Sequence, residues 1–203
     1  RILVETQMFL GKFDAARTVL ERTVASGRPP DRLRARIHLG RIENRLGAYK
    51  EARTTLQMAL EEAATHGSPE IEGEALRALG GVERKLGDID AAIGHLRRAV
   101  DVLPDGSRER IRALTDLGAA LIARGDLPGA KARLLEAAAT VRRATREEAA
   151  IQINLGIVLS REGDTSTAAS TFARSADIAL ATGEVRFAAY ALANAVDNFL
   201  QME

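Results

Sequence analysis

The sequence contains no cysteine and no tryptophan, only five prolines, and aromatic residues make up 3% of it. Without cysteine there is no disulfide framework, no thiolate metal site and no thiol nucleophile, which fits a cytoplasmic chain. With so few rings, a core has to be filled from Ala and Leu, and such a core suits helices packed at short range. No apolar run approaches the ~20 residues that span a bilayer, and no signal peptide is visible. The chain opens at Arg1 rather than Met and enters a helix partway, so it is expected to be a piece of a larger protein.

The residues that are present form a folded, repetitive chain. Apolar residues account for 46% of the 203, well above the range of disordered sequences. The net charge of +1 hides an asymmetry. Residues 1–60 carry 12 Lys/Arg against 6 Asp/Glu, and residues 61–203 carry 17 against 22. Arg supplies 25 of the 29 basic side chains, and its planar fork suits carboxylates and phosphates.

Glycines recur at 11, 47, 87, 125 and 163, with spacings of 36, 40, 38 and 38 residues. Five residues after each stands Ala16, Ala52, Ala92, Ala130 or Ala168, and four further on Leu20, Leu56, Leu96, Leu134 or Phe172. Seven residues before the last four turns stands Gly40, Gly80, Gly118 or Gly156, each preceded by Leu. A helical Gly costs about 1 kcal/mol against Ala. Four at one position therefore predict close helix–helix approach there. One such unit cannot bury its apolar surface alone, so the pattern predicts a stack of helical hairpins.

Leu79-Gly80, Gly87-Asp88, Ala92, Ala99 and Pro104 resemble the signature positions of the tetratricopeptide repeat (TPR) family, and the other copies match most of them. The repeats are longer than the standard unit, similar to those of kinesin light chain and of many bacterial signalling proteins. The resemblance implies an all-α, right-handed helical-hairpin solenoid, a TPR superhelix, with a role in binding other proteins. It covers nearly the whole chain and is specific for fold rather than function.

The chain is expected to be a single array with repeats at about 1–28, 29–67, 68–105, 106–144 and 145–183. A terminal helix over 184–203 either caps it or begins a sixth repeat, with Asn194 where Asn154 stands. Residues 1–11 read as the remainder of a first helix. The following helices are predicted at 13–26, 32–46, 49–65, 69–86, 89–102, 108–124, 127–143, 146–162, 165–181 and 185–201. Asp31 and Ser68 are expected N-caps, with Pro69 in a first turn, and Thr145 to Glu148 reads as a capping box. Ile2, Leu3, Val4 and Phe9 at one end, and Phe187, Tyr190 and Phe199 at the other, lie on segments without outer neighbours. Those end helices are candidates for self-association.

Nothing in the sequence assembles a catalytic centre. His38, His66 and His95 have no His or Cys three or four residues away, so no metal pair lies on one helix face. Glu61-Glu62 and Glu147-Glu148 are neighbours pointing in different directions, as on a solvated helix. There is no phosphate-binding Gly loop and no nucleophile elbow. The chain reads as a binder without cofactor or metal, not an enzyme.

In TPR arrays the first helices of the hairpins line a concave surface. Arg34, His38, Arg41 and Arg45 follow i, i+4, i+7, i+11 spacing and form one stripe between two apolar flanks, with Asn44 at its edge. Arg36 and Glu43 stand on another strip, where the family usually places bulky apolar residues. In the third repeat Glu74, Arg77, Arg84 and Lys85 take the corresponding register. In the fourth it is Arg112, Thr115, Asp116 and Ile122, and in the fifth Asn154, Ile157 and Arg161. The partner expected is a protein or peptide segment, acidic or bearing a carboxylate. The resemblance to co-chaperone domains that clamp a terminal carboxylate is partial: Arg replaces Lys and the Asn residues fall elsewhere. A structural self-association module is a second reading. Nucleic-acid binding, as in pentatricopeptide arrays, is disfavoured by near-zero net charge and few aromatics.

Overall fold

A computed structural model describes residues 13–66, 68–141 and 145–201. The partial helix expected over 1–11, its turn at Gly11, the apolar residues there and Gly67 lie outside the described residues. Among the described residues there are ten helices and no strand. They fall into two compact units, 1–105 and 106–203.

The first unit contains α1 (Phe13–Ser26), α2 (Pro29–Arg45), α3 (Tyr49–His66), α4 (Pro69–Leu86) and α5 (Ile89–Val102). Each helix packs on the next, and α2 also lies against α4. The second contains α6 (Arg108–Arg124), α7 (Leu127–Thr140), α8 (Arg146–Arg161), α9 (Thr165–Ala181) and α10 (Val185–Leu200). Here too consecutive helices pack, and α6 lies against α8 and α8 against α10. Both units are all-α helical repeats with the helix boundaries the periodicity predicts to within three residues.

The turns explain why the helices stop where they do. Gly47, Gly87, Gly125 and Gly163 adopt φ of 83° to 88°, a left-handed conformation that L side chains resist. In three of these turns the next residue is Asp, whose carboxylate caps the following helix: Asp88 accepts from Ala91 N (3.2 Å), Asp126 from Gly129 N (2.9 Å) and Asp164 from Thr167 N (3.1 Å). Gly-Asp is thus a stop and a start in two residues. Ser68 and Thr145 cap as anticipated, accepting from Ile71 N and Glu148 N. Asp31 does not cap. The helix begins three residues earlier than expected, with Arg28 at the N-cap and Pro29 and Pro30 in the first turn, because proline fits where the amide hydrogen has no partner.

The core confirms the close approach. A Cβ placed on Gly40 would sit 2.6 Å from Leu56 Cγ, one on Gly80 2.7 Å from Leu96 Cγ, one on Gly118 2.7 Å from Leu134 Cγ and one on Gly156 2.7 Å from Phe172 Cε1. Each Gly therefore receives the large side chain of its own hairpin's second helix, and Ala52, Ala92, Ala130 and Ala168 of those second helices are fully buried. Gly73 does the same for Leu103, an approach the repeat pattern does not reveal.

Phe187 is partly buried. It packs against two buried clusters, one of Ala149, Ile178, Ala179 and Ala188 and one of Ile153, Ala176 and Ala191, and the Arg146 guanidinium lies 5.3 Å from its ring centroid. It belongs to the packing of α8, α9 and α10 rather than to a bare end, while Tyr190 and Phe199 are exposed over about half their surface.

Gly80 and its neighbour Gly81 should respond oppositely to alanine. Nothing lies within 4 Å of a Cβ on Gly81, so Gly81→Ala should raise stability by ~0.5–1 kcal/mol through helix propensity. Gly80→Ala should lower it by ~1–3 kcal/mol through overpacking against Leu96. Urea midpoints of the two variants check the difference in sign.

Candidate functional site

The candidate surface in the first unit is built by α2 and α4. Arg34 and Arg45 are exposed near the two ends of the α2 stripe, and His38 and Arg41 are half-buried between them. On α4, Arg84 and Lys85 are exposed and Arg77 is half-buried. Because α2 packs on α4, Arg41 Nη2 reaches across to donate to Glu74 Oε2 (3.4 Å). Glu70, in the first turn of α4, also feels this basic face. Its carboxyl lies below the ordinary value, chiefly through its hydrogen bond with Ser68 and its own backbone amide, with a further contribution from the Arg34 charge. Gly81 leaves open space between Arg77 and Arg84. Asn44 is half-buried, and its Oδ1 is enclosed without a hydrogen-bond partner.

Arg36 and Glu43 explain how this hairpin tolerates charge where an apolar side chain is expected. Glu62 on α3 binds both Arg32 and Arg36. Glu43 is buried, and burial pushes its carboxyl above the ordinary carboxylate value against the hydrogen bond of Thr55 and the charge of Arg17. Glu83, at the same position in the next hairpin, is also buried and accepts from Arg53 Nη2 (2.6 Å).

The second unit treats its candidates differently. Arg112 is held by Glu147 on α8, with Nε at 2.9 Å and Nη2 at 2.8 Å from Oε1. Arg108 binds the same carboxylate (Nε to Oε1, 2.7 Å). Burial pushes the Glu147 carboxyl up, but the Arg108 hydrogen bond and the Arg112 charge outweigh it and hold it below its ordinary value. In return Glu147 raises the Arg108 guanidinium. Glu147 is therefore not on a solvated face: it is 8% exposed and clamped by two guanidinium groups, while Glu148 pairs with Arg174 on α9 (3.0 Å). An open cleft of about 630 Å³ beside this cluster is lined by Arg108, Ile111, Thr140, Thr145, Arg146 and Glu147.

Asn154 turns back on its own helix, donating to Ala150 O (2.9 Å). Thr115 and Ile122 are buried rather than displayed, and the Thr115 hydroxyl donates to Ile111 O. Arg161 Nη1 donates to Ile122 O (2.9 Å) and so ties α8 to the end of α6. The ties of Asn154 and Thr115 follow from helix geometry, in which a hydroxyl or amide can return to the carbonyl four residues earlier. The register alone does not distinguish them from display.

Among the described residues no cluster of His, Asp or Glu could hold a metal ion. None of their helices is long and apolar enough to cross a membrane. His66 is exposed at the end of α3, and His95 is half-buried on α5 with its Nδ1 enclosed and without a hydrogen-bond partner.

Stacked helical hairpins with Gly-Asp turns and a charged first-helix face define a helical-repeat scaffold. Two tetratricopeptide repeat models match, one over residues 31–105 and one over 1–22 and 111–136, together more than half of the chain. The chain belongs to the tetratricopeptide repeat family, whose members generally scaffold protein–protein interactions. No curated protein matches it. Among solved structures it is similar to BtubC (BKLC) from P. vanneervenii, at 20% identity and TM-score 0.72, over 89% of this chain and 78% of that one. A thermophilic TPR protein of Thermus thermophilus is 24% identical with TM-score 0.69, over 94% and 95% of the two chains. A Podosopora anserina protein of kinesin light chain type with nearly identical TPR-like repeats is 21% identical with TM-score 0.69, over 87% and 91%. These likenesses are of fold.

The buried carboxylates Glu43 and Glu147 should leave opposite marks on stability against pH. For Glu43 the folded carboxyl keeps its proton above the ordinary value of 4.5, so stability falls as pH rises through that window. Glu43→Gln should therefore raise the urea midpoint at pH 7, with the gain shrinking toward pH 4. For Glu147 the folded value is depressed, so its stabilisation is present above 4.5 and lost as pH falls through the folded value. Glu147→Gln should lower the midpoint at pH 7 and flatten the acid limb.

Proposed function

We propose that the chain is a protein-interaction module whose α2–α4 face binds an acidic or carboxylate-bearing segment of a partner protein. The observation that carries this reading is that α2 and α4, which pack on each other, carry four exposed basic side chains, Arg34, Arg45, Arg84 and Lys85, and three half-buried ones, His38, Arg41 and Arg77. Glu74 and Glu70 neutralise only part of that charge. Charged hydrogen bonds contribute ~1.5–3 kcal/mol each, so two or three fix a carboxylate-bearing segment in register. The open space over Gly81 leaves room for a peptide backbone to lie between the Arg side chains. Arg112 and Asn154 already have partners inside the second unit, so the reading rests on the first. The parent protein is read as a bacterial, cytoplasmic signalling or transcription protein that uses this module as a docking arm, and the module as a binder rather than a catalyst.

The test is fluorescence anisotropy with a labelled Glu/Asp-rich peptide ending in a free carboxylate, against a neutral peptide of equal length. The acidic peptide should bind and weaken as salt rises. Arg45→Glu with Arg84→Glu should cost ~100–10,000-fold in affinity, two charged contacts' worth, with helicity unchanged. Equal binding by the variant, or equal binding of both peptides, would sink the proposal.

A further inference from the structure

The last helix presents a second surface, unlike the basic face in every respect. Ala188, Ala191, Ala195 and Asn198 of α10 are buried, the three alanines against α8 and α9. On its other side Val185, Leu192, Val196, Phe199 and Leu200 are 48–69% exposed, with the exposed Ala189 and Ala193 among them. Leu180, near the end of α9, adds a further exposed apolar side chain.

The two charged residues of α10 restrict what can cover this stripe. They are Arg186 and Asp197, of opposite sign and both exposed. Eleven residues at about 100° each return to within ~20° of the starting direction, and separate the two by ~16 Å along the axis. Arg186 and Asp197 therefore mark the two ends of one rim of the stripe, with exposed Tyr190 between them. The other rim, at Leu192 and Phe199, is apolar.

We propose that α10 pairs with α10 of a second copy of this chain, antiparallel about a two-fold axis that crosses the stripe at the height of Leu192. Such an axis lays stripe on stripe. It keeps each rim on its own side while reversing its direction. Arg186 of each copy then stands opposite Asp197 of the other, so the contact closes with two ion pairs. A parallel pairing, about an axis along the helices, would carry each charged rim across to the apolar rim of the other copy and leave all four charges without a partner. An isologous contact needs a self-complementary patch, and this arrangement of charges is one.

Sedimentation equilibrium over a concentration series tests the proposal. The native chain should show a monomer–dimer equilibrium, and Val196→Glu should weaken the dimer at least ~10-fold by placing charge in the stripe. Arg186→Asp alone and Asp197→Arg alone should each weaken it by a similar factor, and the double exchange should restore it. The sharper arm mixes the two single variants. One then carries two Asp and the other two Arg on the rim, so the heterodimer should form where neither homodimer does. All three substituted side chains are exposed in the native chain, and circular dichroism confirms that each variant is folded. A native chain that stays monomeric at hundreds of micromolar, a dimer indifferent to the single exchanges, or a mixture that fails to associate would each overturn the proposal. A monomeric native chain would assign the stripe to a further helix of a longer protein instead.

Discussion

Everything in both units depends on how closely the two helices of a hairpin approach. A Leu or Phe from the second helix enters the space above a Gly of the first, where even a methyl group would stand about 2.7 Å from it. The fully buried Ala four residues before that Leu or Phe keeps the second helix equally slim. This contact repeats in four hairpins. It determines how far apart the helices are, and so which longer side chains can reach across. With few aromatic rings available, short separation is also how a core of Ala and Leu reaches normal packing density.

Charge works within the limits of that spacing. In the second unit Arg108 and Arg112 reach the buried Glu147 from the neighbouring first helix, and in the first unit Arg53 reaches the buried Glu83. Removing one partner of such a pair leaves a buried charge uncompensated, a loss larger than the net worth of the pair itself. Hence the Arg residues of these units have two distinct occupations. Some hold hairpins together and cannot leave without cost. Others, such as Arg45 and Arg84, have their forks in solvent.

That division marks where reading the sequence stops. Periodic Gly, Ala and Leu specify helices, turns and the close contact, because these depend on backbone conformation and on side-chain volume at fixed spacing. The stripe of Arg34, His38, Arg41 and Arg45 was legible for the same reason. The fate of each charge was not. Arg112 and Arg84 both stand on first helices, yet only Arg112 has Glu147 opposite it, on a helix some 35 residues away in sequence. Thr115 and Asn154 look like display positions until their hydrogen bonds to Ile111 O and Ala150 O are seen. Gly73 lay outside the repeat pattern, and its Leu103 partner comes from the exit of the next helix.

The ion pairs within hairpins carry one more consequence. Arg110 with Glu136 and Glu148 with Arg174 are each 26 residues apart and occupy the same place in consecutive hairpins, but with the signs exchanged. Near-identical repeats run the hazard of a helix docking on the wrong copy while the chain collapses. Here such an exchange would bring Arg110 to Arg174 and Glu136 to Glu148. Each mismatched hairpin would hold like charges where the native one holds opposites. The alternation of sign is a label that lets a helix distinguish its own partner from a look-alike one repeat along, written in side chains that add little to the stability of the finished fold.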